Sequence, residues 1–263
     1  MRTIWAVAEV VLRCWTRRKE GYILILILAA VQYGVASLNI LTAGGSALYL
    51  YDVGLLLTWF LGWIIAIHVG ASELPSEESR GTIFLLLAKP LHRAQLIVGK
   101  WLGAWLAVAA CTLALHLVTL LSAWLVGVHP LGEAWAQMCL LHLASQGVLT
   151  ATAMAISTRL NRDAALSLTA TAALAFYLIV PKIPYLSHYA TGWHTGMFEL
   201  LYYALPHLEL FDLRRRVLHG YGPIPFTTLA PILLYGAAWT AILLLTAWLA
   251  YRHRHFQRDR LLE

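Results

Sequence analysis

The chain has 263 residues, 60% of them hydrophobic and only 12% charged, with a mean hydropathy of +0.69. Soluble domains carry about 25% charged residues, so the composition excludes a large soluble domain and points to an integral membrane protein. The net charge of +6 sits beside apolar runs, where Lys and Arg flank membrane spans, and gives no support to nucleic-acid binding.

Residues 1–20 read as an amphipathic helix. Ile4, Val7, Ala8, Val11, Leu12 and Trp15 recur at helical spacing, and Arg13, Arg17, Arg18 and Lys19 follow. Such a helix lies flat at a membrane surface. The first apolar run begins at Tyr22, after this charged leader, and is long enough to span, unlike a cleavable signal.

Six spans are predicted: 22–41, 53–72, 100–127, 134–158, 164–180 and 229–251. Gly44-Gly45-Ser46 and His129-Pro130 mark turns on one side, and Arg159–Asp163 a turn on the other. Asp52 reads as a helix cap or headgroup contact. A polar hairpin, 73–100, separates the second and third spans. The connection 181–228 is rich in aromatics, and Pro206–His219 reads as a short helix with Leu210, Leu213 and Val217 on one face. Short helices there are expected to rest on the outer leaflet. A basic tail, 252–263, closes the chain, and the whole reads as one all-α transmembrane domain, 1–263.

Of the 19 Lys and Arg, five lie in the N-terminal segment, four in the hairpin, two at Arg159 and Arg162, and four in the tail. All fifteen fall on one side of a six-span topology. Positive-inside bias therefore places both termini in the cytoplasm, and the inner membrane is the expected location. Arg214–Arg216 are discordant, and read either as a headgroup or acidic-partner contact or as a solvated helix face.

The hairpin itself reads as helix–break–helix. Glu77 and Glu78 open it, Gly81-Thr82 begins a short apolar helix, Lys89-Pro90 breaks it, and a new helix from Leu91 runs into the third span. The ordered set Glu77, Glu78, Gly81, Thr82, Pro90, Arg93, Gly99 and Lys100 resembles the loop between spans two and three of ABC-2 type transporter permeases. Segment LPHLELFDLRRRVLHG is similar to that family's Pro–aromatic segment. YRHRHFQRD is similar to its basic-aromatic tail, interrupted here by His253 and His255. Within the family, the chain resembles the permeases grouped with the copper-site maturation system of nitrous-oxide reductase.

The resemblance implies a permease dimer, of identical or different copies, paired with separate ATP-binding subunits. The hairpin would be a coupling helix, braced by the N-terminal amphipathic helix. Glu77, Glu78, Arg80, Gly81, Thr82, Pro90, Arg93 and Lys100 are then the candidate residues of the ATPase-coupling interface. The plainer reading is a solvated loop. No Gly-x-x-x-x-Gly-Lys-Ser/Thr occurs, so ATP and magnesium are expected on the partner chain and no cofactor or metal on this one. An outer protein partner for 181–228 remains open.

Two other classes stand as alternatives. A secondary transporter or channel needs intramembrane ionisable groups, and the spans offer His rather than acids. A membrane haem or metal redox protein would use His116 and His142, which lie at similar depth; the alternative for that pair is an interhelical hydrogen bond. Cys14, Cys111 and Cys139 form neither a disulfide framework nor a zinc motif. His68 and Glu73 read as a gate pair or as ordinary interface residues. Small residues on three spans (Gly54, Gly62 and Gly70; Gly103, Ala107 and Ala110; 165–175) fit intrachain packing or a dimer seam. The scarcity of charge in the spans favours a hydrophobic or amphipathic substrate, or transmitted force.

Overall fold

The computed structural model describes residues 2–17, 19–37, 46–79, 92–129, 132–189 and 192–252. Among these there is no strand. The helices are α1 (Arg2–Thr16), α2 (Glu20–Ser37), α3 (Ser46–Ser79), α4 (Arg93–Leu125), α5 (Glu133–Ser157), α6 (Arg162–Leu178), α7 (Ile183–Ser187), α8 (Trp193–Ala204), α9 (Arg214–Leu218) and α10 (Phe226–Arg252). Single 3-10 turns occupy Val180–Lys182 and Leu208–Phe211.

Among the described residues, five helical stretches are long and apolar enough to cross a membrane: α3, α4, α5, α6 with its continuation through α7, and α10. Taken together, α1 and α2 meet the same test, but they are bent by 52° relative to each other. The 18 residues of α2 reach roughly 27 Å at 1.5 Å per residue, just short of a hydrocarbon core of about 30 Å. The sixth span expected over 22–41 therefore shows only its first part, since 38–45 lie outside the described residues.

Helices α3, α4 and α5 pack on one another and form the centre. Trp59, Leu115, Leu141 and Val148 are buried there. Against this centre lie α6 on α3 and α5, α10 on α5, α2 on α4 and α3, and α1 along the start of α4. Helices α6 and α10 keep most of their apolar surface outward, as at Leu178 and Leu234. In water such surface would drive association, whereas in a bilayer it faces lipid or another membrane helix.

Glycine sets how closely α3 approaches its neighbours. A Cβ on Gly54 would meet Gln32 and Thr119, one on Gly62 would collide with the Gln146 amide, and one on Gly70 would stand 2.7 Å from the Thr150 carbonyl. These glycines serve contacts within the chain. Gly103 does likewise, because a Cβ there would stand 2.6 Å from the carbonyl of Ala8.

The helix that enters the hairpin is longer than the span expected over 53–72. α3 runs unbroken through Pro75 to Ser79, although Pro75 cannot donate to the carbonyl one turn back. Its 34 residues reach roughly 50 Å, well past the hydrocarbon core. The hairpin expected from Glu73 thus begins as helix, and Glu73 and Glu77 ride on α3. α4 starts at Arg93 and is continuous through Lys100 into the apolar span, in line with the expected second half of the hairpin. Asp52, read as a cap, lies inside α3, in its second turn.

The connection between α6 and α10 differs more. Instead of one helix over 206–219, a 3-10 turn ends at Phe211 and α9 starts at Arg214. The Asp212 carboxylate accepts from the Arg214 backbone N–H at 3.0 Å, an Asx-type turn that breaks the run. Leu208 and Phe211 are the residues buried in the core, while Leu210 is exposed.

Candidate functional site

Four elements converge at the end of the bundle that carries Lys100. The Lys100 ammonium donates to Glu77 Oε1 at 2.6 Å and to Glu73 Oε2 at 3.2 Å, and its side chain is 5% exposed. Glu73 and Glu77 are one turn apart on α3, so both carboxylates project to the same side. A lysine seven residues into α4 thereby ties the two helices that flank 80–92. An isolated charge at such depth would be costly, and two acceptors offset that cost.

Arg93 adds the last helix. It lies in the first turn of α4, where a cation opposes the helix dipole. Its guanidinium reaches instead to the carboxyl-terminal end of α10, donating to the carbonyls of Tyr251 at 2.8 Å and Arg252 at 3.0 Å. There a cation is favourable, since the last carbonyls of a helix have no partner within it. Leu74, Leu96, Ile97, Met154, Ala247 and Tyr251 close an apolar cluster beneath these polar contacts.

The fourth element is α1. Gly99 and Gly103 are spaced as Gly-x-x-x-Gly and face its backbone. A Cβ on Gly99 would stand 2.9 Å from the carbonyl of Ile4 and 2.8 Å from the Val7 side chain. Small residues one turn apart allow this approach. Glu9 and Arg13, exposed on α1, pair with each other one turn apart.

A buried polar seam runs between the central helices. His116 and His142 hydrogen-bond ring to ring at 3.0 Å, joining α4 to α5. Gln146 reaches both Thr112 Oγ1 at 2.8 Å and His142 at 3.1 Å. Further along, Thr119 links Gln32 of α2 at 3.0 Å and Thr58 of α3 at 2.9 Å. At 3.0 Å the two ring nitrogens stand at hydrogen-bond distance from each other. Among the described residues, no group of three His, Cys, Asp or Glu could hold a metal ion. The interhelical hydrogen bond is the reading the geometry supports.

At the opposite end, Trp59 stacks on His142 with ring centroids 4.3 Å apart, and the Arg214 guanidinium lies 5.1 Å over the Trp59 ring. Arg214 donates to Asp212 at 2.7 Å, and Tyr177 donates to the same carboxylate at 2.6 Å. Burial pushes the Asp212 carboxyl up, but the hydrogen bonds and charge of Arg214 outweigh it and hold it below its ordinary value. Burial likewise disfavours the Arg214 cation, and the bonds to Asp212 more than restore it. Arg216 donates to the Gly222 carbonyl at 2.8 Å. Arg214 thus fastens the connection to the bundle, while Arg216 closes a turn within it, roles that neither reading of the Arg triplet anticipated.

Of the candidate coupling residues, Glu77, Arg93 and Lys100 are brought to one end of the bundle, and Glu78 follows Glu77 on α3. Arg80, Gly81, Thr82 and Pro90 lie outside the described residues, as does the helix expected after Gly81. Glu73 belongs with Lys100 rather than with His68, whose ring lies 3.4 Å from Arg162. The spacing of Glu73 and Glu77 carried that signal, two carboxylates on one helical face.

This architecture is matched by a known family. The model of the ABC-2 family transporter proteins covers residues 16–253, and the chain belongs to that family. Over 117 residues it is 33% identical to the probable ABC transporter permease protein NosY of Pseudomonas aeruginosa. That stretch is 43% of this chain and 42% of the relative, so less than half of the relative's length is spanned. The chain is therefore a multi-pass membrane protein of the ABC transporter permease class.

Proposed function

We propose that the chain is the membrane subunit of an ATP-driven transporter, working as a permease dimer with separate ATP-binding chains docked at the Lys100 end. In this reading α2 completes a sixth span, both termini lie in the cytoplasm of the inner membrane, and this chain carries no catalysis of its own. Residues 80–91 present the docking element, with Glu77, Glu78, Arg80, Gly81, Thr82 and Pro90 at or beside the contact. Lys100 is buried, so its part is to transmit motion rather than to touch the partner.

The observation that carries the proposal is the Lys100 clamp with Glu73 and Glu77. A push on the segment between α3 and α4 meets two long helices already locked together, with α10 attached through Arg93. Motion at the docking element therefore reaches three spanning helices at once. A hydrophobic or amphipathic substrate, or a force passed to an outer partner, suits spans whose apolar stretches carry at most two charged residues. The test is co-purification of the ATP-binding chain expressed with this permease. Glu78→Ala combined with Arg80→Ala should lower its recovery while the permease keeps its thermal midpoint. Full recovery of the partner with this double variant would sink the docking assignment.

A further inference from the structure

On the outer side of the bundle, between α4, α5 and α10, lies a groove of about 370 Å³ that the clamp does not use. Trp101 and Trp105 of α4 form one wall, their rings stacked 5.7 Å apart and 5° from parallel. Gly147 of α5 and Ala237, Ala241 and Leu244 of α10 form the rest. The polar groups of Trp101, Trp105 and Thr240 are turned away from the slot. The Trp101 indole donates to the Gly147 carbonyl at 3.1 Å, the Trp105 indole to the Leu143 carbonyl at 2.9 Å, and Thr240 to Gly236 of its own helix at 2.8 Å. What remains is an apolar slot with rigid aromatic walls, opening toward the bilayer.

The slot has a charged end. Ala237, Ala241, Leu244, Trp248 and Arg252 recur every three or four residues on α10, so they share one face. Trp101, Leu244 and Trp248 pack against the same buried cluster. At the end of this stripe the exposed Arg252 guanidinium lies 5.5 Å over the Trp248 ring. The sequence continues with Arg254, Arg258 and Arg260. Basic clusters next to a span attract anionic headgroups at about 1 kcal/mol per residue, and tryptophan favours the depth where chain meets headgroup.

We infer that this groove binds one anionic phospholipid, an acyl chain lying between Trp105 and Ala241 and the phosphate at the level of Trp248 and Arg252. A bound lipid would then touch α4 directly beside Lys100 and would couple membrane composition to the clamp. The inference stands whether or not the permease is driven by ATP.

The test uses the full chain in bilayers of phosphatidylcholine with added phosphatidylglycerol, part of it carrying a photoactivatable acyl chain. Cross-links should concentrate on peptides containing Trp101–Trp105 and 237–244. Ala237→Trp, which fills the slot, should lower them about fivefold or more, a difference near 1 kcal/mol. Leu245→Trp, on an exposed face of α10, should leave them unchanged. Arg252→Gln should keep the chain cross-link but bring phosphatidylglycerol to parity with phosphatidylcholine. Thermal midpoints establish that each variant folds, and Ala241→Leu replaces Ala237→Trp if that variant does not. Undiminished cross-linking in the folded filled variant overturns the site. So does efficient disulfide formation between two copies of Ala241→Cys, which would make the groove a seam between permeases.

Discussion

The two ends of the bundle are each fastened by an ion pair, buried at one end and part-buried at the other, and the pairs do different mechanical work. At one end Lys100 joins two helices directly, α4 to α3, through Glu73 and Glu77 on successive turns. At the other, Arg214 and Asp212 are two residues apart on a connection, and they reach the helices through Tyr177 and the face of Trp59. The first arrangement makes a rigid unit of two long helices. The second pins a loop onto a core that is already packed. Force applied at the Lys100 end moves helices, whereas force applied at the Arg214 end first strains a connection.

Removing the cation at each end should sharpen that contrast. Lys100→Met leaves two carboxylates buried without their partner, and a loss of about 3 kcal/mol is expected. It should appear as a lower thermal midpoint in detergent and weaker recovery of an ATP-binding partner. Arg214→Met should cost about 2 kcal/mol, because Tyr177 still donates to Asp212, and partner recovery should be retained. Equal losses of partner recovery at both ends would break the distinction. Gly62→Leu tests the centre between them. Its side chain would press on Gln146 and His142, and overpacking of this kind costs about 1–3 kcal/mol.

Smaller effects separate the clamp's parts. Arg93→Gln should cost only about 1 kcal/mol of stability, since it removes bonds to helix-end carbonyls. Partner-stimulated activity should fall further than that loss accounts for, because α10 then loses its polar tie to the start of α4. The smallest effect is the pH dependence of the Arg214 end. The Asp212 carboxyl is held below its ordinary value, so its contribution to stability is present above the ordinary carboxylate range and lost as pH falls through the lowered value. Thermal midpoints of the native protein and Asp212→Asn should therefore differ at neutral pH and converge in acid.

The apolar runs, the amphipathic start and the continuity of α4 through Lys100 were legible in sequence, because hydropathy and helical spacing are local signals. The spacing of Glu73 and Glu77 put two carboxylates on one helical face, but that Lys100 is their partner was not legible, since a contact 23 and 27 residues apart across the hairpin depends on how α3 and α4 pack. The break at Asp212 was missed because a side chain there competes with the backbone for the Arg214 N–H, and propensity alone favours continuing the helix. The family motif pointed to Glu77, Arg93 and Lys100 without telling that Arg93 would cap α10. Sequence placed the His pair at a shared depth, and the ring-to-ring hydrogen bond at 3.0 Å became visible only in the packed helices.

The close fit of α1 against Gly99 and Gly103 also has a consequence for biogenesis. Ile4 precedes Gly99 by 95 positions in the chain. At about 5–20 residues per second of synthesis, α1 emerges roughly 5–20 seconds before the helix that receives it. An amphipathic helix can wait through that interval on the membrane surface, with its apolar face in the headgroup layer. Final seating of α1 then reports that α4 has been inserted in the correct register.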